Sequence, residues 1–116
     1  MNLKIKENID TTFAYYEISG EVDMYSSPLV RKAIMKAADK QVKLILVNLD
    51  NVSYMDSSGV ATLIEGLQYS KKYGGKIVLA GLQENVRQVF ELTKLDKIFT
   101  IYNDLKTAKQ ELDLSL

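Results

Sequence analysis

The chain contains no cysteine and no histidine, and these two absences exclude much of enzyme chemistry. Without cysteine there is no thiol nucleophile, no disulfide and no thiolate-bound metal. Without histidine the commonest general base is missing, so a Ser-His-Asp triad cannot form. The GxSxG and GxxxxGK[ST] motifs are also absent. We therefore expect a binding or regulatory domain with no catalytic residues, no cofactor and no metal.

Charge of one sign is not in excess either, since 15 Lys and Arg residues balance 15 Asp and Glu residues. No global field draws such a chain to nucleic acid or to an anionic membrane. Its longest apolar runs, such as residues 44–47, are too short to span a bilayer, and the start MNLKIKENID lacks the apolar segment of a signal peptide. We expect a cytoplasmic protein, a monomer when free, in which residues 1–116 form a single domain.

Hydrophobic patterning predicts nine elements in the order ββαβαβαβα. Five strands are expected, the first two joined as an antiparallel hairpin by a turn at 8–12. They lie at 3–7, 13–19 (ended by Gly20), 43–49, 76–80 and 97–102. After the hairpin, strands and helices alternate strictly, which implies right-handed crossovers and parallel pairing. The fold class is therefore α/β, with a mixed but mostly parallel sheet.

Four helices are expected between and after these strands. Ser27 is a natural N-cap with the single proline, Pro28, at the first helical position. The second helix begins near Asp56 and ends at Gly74-Gly75, and the third is a short one around 86–90. Asn103 or Asp104 caps the last helix, and we expect residues 110–116 to fray.

The stretch SYMDSSGV, residues 53–60, stands where a strand passes into a helix. Ligands and partners of α/β sheets are met at the carboxyl ends of parallel strands, and the loop containing Asp23 is expected on the same rim. Capping explains part of the motif, because Asp56 is a good N-cap and Gly59 permits close approach of two elements. Capping does not require the second hydroxyl, so we expect that of Ser58 to point outward, free to accept a phosphoryl group at the positive end of the helix.

Four stretches of the chain together resemble the STAS domains of bacterial anti-sigma factor antagonists. They are GEVDMYSSPLV (20–30), VNLDNVSYMDSSGVATLIEG (47–66), GGKIVLAGL (74–82) and VFELTKLDKIFTIYND (89–104). The resemblance covers nearly the whole chain in order, and the DSSG core is its most specific part. It implies a non-enzymatic protein that binds an anti-sigma factor serine kinase and so releases a sigma factor. It also implies phosphorylation of Ser58 by that kinase and a phosphatase that reverses it.

The resemblance further implies which residues meet the partner. Asp23 and Asp56 match the acidic positions that flank the phosphorylation site, and Ser57 matches its neighbour. Gly59 matches a small residue that lets the partner approach, and Val60 and Leu63 match the start of the contacting helix. The residues expected to tune the choice of partner occupy variable positions: Met24, Tyr25 and Tyr54.

Two other interpretations remain open at this point. The chain is alternatively a STAS scaffold or adaptor subunit within a larger signalling or transport complex. An enzyme that uses Asp23 or Asp56 as base or nucleophile is the weaker alternative, because neither a histidine nor a phosphate-binding loop accompanies them.

Overall fold

A five-stranded sheet with helices on both faces forms the centre of the molecule, for which a computed structural model describes residues 3–114. The strands follow chain order across the sheet: β1 (Leu3–Ile9), β2 (Phe13–Val22), β3 (Leu44–Met55), β4 (Lys76–Ala80) and β5 (Thr100–Tyr102). Only the β1–β2 pair is antiparallel, and the other three pairs are parallel. The predicted fold class, α/β with a mixed and mostly parallel sheet, is confirmed.

Four helices cover the sheet unequally. They are α1 (Ser27–Asp39), α2 (Ser57–Lys72), α3 (Glu84–Leu92) and α4 (Leu105–Glu111). The first three pack on one face over the main core, to which they contribute residues such as Ile34, Leu63 and Phe90. On the other face α4 covers a smaller cluster, where Ala108 packs against Leu46. The central strand is thus buried on both sides, as its continuous apolar run predicts.

Two strands extend beyond their predicted ends. Gly20 does not terminate β2, because the strand accommodates its φ of 113° and continues to Val22 through a register shift. The predicted loop after residue 49 is likewise wrong, because residues 51–55 continue β3 and pair with residues 19–22 of β2. The extra length carries both strands past the end of β4.

Beyond its last pairing with β4, at Asn48, this extension of β3 has β2 as its strand partner within residues 3–114. Side chains at the start of α3 form hydrogen bonds with carbonyls of this extension. Gln83 Nε2 donates to the Asp50 carbonyl at 2.8 Å, and Asn85 Nδ2 donates to the Ser53 carbonyl at 2.7 Å. Two side-chain amides therefore occupy carbonyls that a further strand would otherwise use.

Three other element ends differ from expectation. The N-cap of α1 is Ser26, so Ser27 is already helical. A turn of 3-10 helix at Leu95–Lys97 precedes the last strand, which is reduced to Thr100–Tyr102. The tail that the sequence predicts to fray, from residue 110, is described as far as residue 114. Leu112 and Leu114 pack against the smaller cluster, and the Leu114 N–H donates to the Lys109 carbonyl at 2.9 Å. Residues 115–116 lie outside the described part of the chain.

Candidate functional site

The ends of β2 and β3 bring the two predicted acidic residues to one edge of the sheet. Val22 and Met55, the last residues of two adjacent parallel strands, are paired. Asp23 and Asp56 each follow directly after one of these strands. The Asp56 N–H donates to the Val22 carbonyl at 3.1 Å, which joins the two loops directly. The prediction that both loops share a rim is confirmed.

Asp56 begins α2 as predicted. Its backbone is extended, and its carboxylate accepts the Ser58 N–H at 2.9 Å, which satisfies one of the unpaired donors in the first turn. The same oxygen, Oδ1, also accepts the Ser58 hydroxyl at 2.5 Å. The expectation that the Ser58 hydroxyl is free is therefore wrong, because the capping carboxylate lies close enough to bind both donors of this residue.

These hydrogen bonds lower the pKa of Asp56 below its ordinary value of 3.8. The Ser58 hydroxyl is the largest cause, and the backbone N–H groups of Ser58, Gly59 and Met24 act in the same direction, against partial burial. Met24 belongs to the loop that carries Asp23, so this loop also favours the ionised form of the carboxylate at the start of α2. Asp56 is held as an ionised acceptor.

Asp23 is fixed by a different set of donors. Its Oδ1 accepts the N–H of Tyr25 at 2.9 Å and the N–H of Ser26 at 3.0 Å. The Ser26 hydroxyl accepts the Asp23 N–H at 3.0 Å and donates to the Glu21 carbonyl at 2.8 Å. Sequence reasoning missed Ser26, although its spacing of three residues from Asp23 is typical of a polar turn before a helix.

The remaining predicted site residues fall into two groups. Ser57 is exposed and Ser58 is half-buried, so both lie at the surface of the first turn. Gly59, Val60 and Leu63 are buried, with Val60 at 7% and Leu63 at 1% exposure. The side chains of Val60 and Leu63 belong to the main core, so any part they play for a partner is to position the helix.

Gly59 explains how closely this helix approaches the sheet. A Cβ added to Gly59 would lie 2.7 Å from both Met55 Cγ and Val22 Cγ1, well inside van der Waals contact. The small residue therefore permits close packing of α2 on the ends of β2 and β3. It is this internal packing that places Ser58 at the rim.

Large apolar side chains are exposed on the same rim. Met24 and Tyr25, in the loop after β2, are 66% and 76% exposed, and Tyr54, near the end of β3, is 46% exposed. Exposed residues of this size next to a polar site are typical of protein contact surfaces. We refer to Met24, Tyr25 and Tyr54 as the apolar rim residues.

A metal site would need a group of ligands within residues 3–114, and a membrane span would need a long apolar helix. Within that range no three Asp or Glu residues are grouped so as to hold a metal ion. None of the helices described there has the length and apolar character needed to cross a membrane.

Comparison with known proteins identifies the family. A family model for the STAS domain matches residues 1–108. The chain belongs to the STAS domain family. An anti-sigma-B factor antagonist of Bacillus subtilis is 33% identical over 101 residues, which cover 87% of this chain and 90% of that protein. The expected family is thus confirmed.

Two solved structures share the fold at low sequence identity. An anti-sigma factor antagonist from Mycobacterium paratuberculosis has a TM-score of 0.85 at 22% identity, covering 97% of this chain and 95% of its own. The Bacillus cell fate determinant SpoIIAA in its phosphorylated form has a TM-score of 0.73 at 21% identity, covering 95% and 98%. The fold of this chain is therefore also that of a phosphorylated protein.

Proposed function

We propose that this STAS domain is an anti-sigma factor antagonist controlled by phosphorylation of Ser58. In the unphosphorylated form it binds an anti-sigma factor that is a serine kinase, and so releases a sigma factor. Phosphorylation ends the binding, and a phosphatase restores it. The observation that carries the proposal is the half-buried Ser58 hydroxyl at the shared rim of β2, β3 and α2, in a chain similar to an anti-sigma-B factor antagonist over 87% of its length.

The fold tolerates a phosphoryl group at this position. Ser58 lies in the first turn of α2, where the positive end of the helix stabilises an anion by roughly 0.3–1 kcal/mol. The core side chains near the start of α2, Val60 and Leu63, lie on the buried side of the helix, away from the surface that Ser58 shares with Ser57. Modification therefore leaves the packing of the domain intact.

A docked partner does not tolerate it. Phosphorylation adds about −1.5 to −2 charges beside Asp23 and Asp56. A partner seated on the apolar rim residues would remove this solvated dianion from water near two carboxylates. A penalty of about 3–4 kcal/mol weakens binding several-hundred-fold, since each 1.4 kcal/mol is a factor of ten. The neutral hydroxyl of unmodified Ser58 carries no such penalty.

Affinity purification from the organism's own cells tests the proposal. The wild-type domain and Ser58→Ala are expected to retain an ATP-binding kinase, and Ser58→Glu is expected to lose it. The matched control is Thr11→Glu, which adds the same charge to an exposed turn before β2, at the opposite end of that strand from the site. This variant should retain the kinase.

Mass spectrometry after incubation of the complex with ATP identifies the modified residue. Phosphate on Ser58 supports the proposal. An unmodified Ser58, or equal retention of the kinase by the wild type and Ser58→Glu, contradicts it. Elution of the unmodified domain within a large assembly would favour the scaffold function.

A further inference from the structure

We propose that Asp56 is a catalytic group that this domain itself contributes to the phosphorylation of Ser58, by holding the hydroxyl and accepting its proton. The inference rests on the proposed function, because the partner kinase supplies the nucleoside triphosphate. It concerns the chemistry of the acceptor side, which is formed entirely by residues of this chain.

The hydrogen bond between the two side chains sets the direction of the hydroxyl proton. Ser58 Oγ lies 2.5 Å from Asp56 Oδ1, the short end of the range for a hydroxyl that donates to a carboxylate. A serine hydroxyl has one proton and two lone pairs. With the proton committed to Asp56, the lone pairs of Oγ point away from the carboxylate and are available to an incoming phosphorus.

Capping alone does not require this bond. An N-cap needs only to accept a backbone N–H, and serine or asparagine does so about as well as aspartate. Asp56 meets that need through the Ser58 N–H, and the hydroxyl bond is additional. The hydrogen bonds to Asp56 favour its ionised form, and its own N–H donates to the Val22 carbonyl at 3.1 Å, so the acceptor is charged and held in place before a kinase docks.

The transfer step uses these groups in place. The Oγ–P bond forms while the bond from the γ-phosphorus to the bridging oxygen of the nucleotide breaks. The nucleoside diphosphate leaves with the bonding electrons, and the hydroxyl proton passes to Asp56 Oδ1 and then to water. A weak base suffices, because phosphoryl transfer has a loose transition state and protein kinases also use an aspartate to accept the substrate's hydroxyl proton.

Variants that separate capping from charge test the role of Asp56. Asp56→Asn and Asp56→Ser both keep an N-cap and remove the carboxylate, so they should remain folded, with a modestly lower denaturant midpoint because the stabilising ionised group is lost. With the kinase that is purified with the wild type, we expect the kcat for phosphorylation of Ser58 to fall about 10²–10⁴-fold. The Kd of the variant for the kinase should rise by a much smaller factor. The matched control is Asp104→Asn, the same change in the N-cap of α4, which should leave kcat unchanged.

Each outcome distinguishes this inference from the proposed function. Phosphorylation of Ser58 at the wild-type kcat in Asp56→Asn overturns only the inference. Recovery of the wild-type kcat in Asp56→Ser also overturns it, because capping alone would then explain the role of Asp56. If the kinase modifies no residue of the wild-type domain, the proposed function fails and the inference fails with it.

A measurement without the kinase tests the hydrogen bond itself. NMR titration of the side-chain carboxyl carbon should show a higher pKa for Asp56 in Ser58→Ala than in the wild type, because the largest cause of its lowered pKa is removed. Asp104 is the internal reference and should not shift. An unchanged Asp56 midpoint overturns the inference even if Ser58 is phosphorylated.

Discussion

Gly59 joins the packing of the domain to the position of its predicted phosphorylation site. The residue is buried between the ends of two strands, and the next residue towards the N-terminus is Ser58. A side chain at Gly59 would have to displace Val22 and Met55 or move the first turn of α2 outward. Either shift would also move the Ser58–Asp56 pair.

Gly59→Ala should destabilise the domain. Overpacking costs roughly 1–3 kcal/mol, and the better helix propensity of alanine offsets about 1 kcal/mol of it. We expect a net loss of up to ~2 kcal/mol in the free energy of unfolding, measured by chemical denaturation. Gln68→Ala, at an exposed position of the same helix, should stay within about 0.5 kcal/mol of the wild type. A Gly59→Ala variant as stable as the wild type would contradict the observed packing.

At the level of single residues, the sequence predicts identities better than contacts. Asp56 as the N-cap of α2 follows from residue type and position, and the structure confirms it. The bond from the Ser58 hydroxyl to Asp56 does not follow, because capping preference specifies a backbone donor and leaves the hydroxyl rotamer open. Burial of Leu63 is predicted by helical periodicity, whereas its role for a partner comes from the resemblance alone.

Among the elements, α1 and α2 are linked at the surface by one ion pair of good geometry. Arg31 Nε and Nη2 donate to the two carboxylate oxygens of Glu65 at 2.7 and 3.0 Å. The pair raises the pKa of Arg31 and lowers that of Glu65. Both side chains are about half exposed, so solvent and salt screen the attraction.

A double-mutant cycle with Arg31→Met and Glu65→Gln should therefore give a small coupling. We expect about 0.2–1 kcal/mol in the free energy of unfolding, decreasing further at 1 M salt because screening is stronger there. A coupling above about 2 kcal/mol, or one insensitive to salt, would show that the pair is more shielded from water than the structure indicates.

The end of β3 shows which elements the sequence can predict. Residues 43–49 form an apolar run whose burial dictates a strand, and this prediction is confirmed. Residues 50–55 begin with Asp-Asn and alternate without a continuous apolar run, so they resemble a loop. They are extended because β2 also continues and offers them backbone partners, and pairing between distant segments leaves no local signal.

At the scale of the whole molecule, acid should destabilise the domain through its turn and cap carboxylates. Hydrogen bonds from backbone N–H groups lower the pKa of Asp10 and Asp104, and the Ser58 hydroxyl is the chief cause for Asp56, in each case below 3.8. A carboxyl with a lower pKa in the folded state stabilises the fold above its unfolded pKa. That contribution is lost as the pH falls through the folded pKa.

Urea unfolding measured between pH 5 and pH 2 tests this expectation. Stability should decrease below about pH 4, the region of the unfolded carboxyl pKa, and the decrease should be shallower when Asp10, Asp56 and Asp104 are all replaced by asparagine. Asp50 acts in the opposite direction, because burial, followed by the charges of Asp104 and Glu17, raises its pKa. A pH profile identical for the wild type and the triple variant would contradict the assignment.

Phosphorylation of Ser58 should leave the whole fold intact while abolishing binding. The site is at the surface of the first turn of α2, so the core is untouched, and the helix terminus offsets repulsion from Asp56. We expect the free energy of unfolding of the phosphorylated protein to lie within about 1 kcal/mol of the unmodified value. Chemical denaturation measures the free energy of unfolding, and NMR shift mapping shows which residues change. Shifts spread through the sheet would contradict a local change.

The side-chain amides at the start of α3 have a consequence for solubility. Because Gln83 and Asn85 bind the carbonyls of Asp50 and Ser53, these two acceptors at the end of β3 are not available to a strand from another molecule. An unprotected edge beside an apolar rim would invite intermolecular β-pairing and fibril growth. Met24, Tyr25 and Tyr54 are therefore exposed beside backbone acceptors that the domain has already satisfied, which makes intermolecular β-pairing at this edge less favourable.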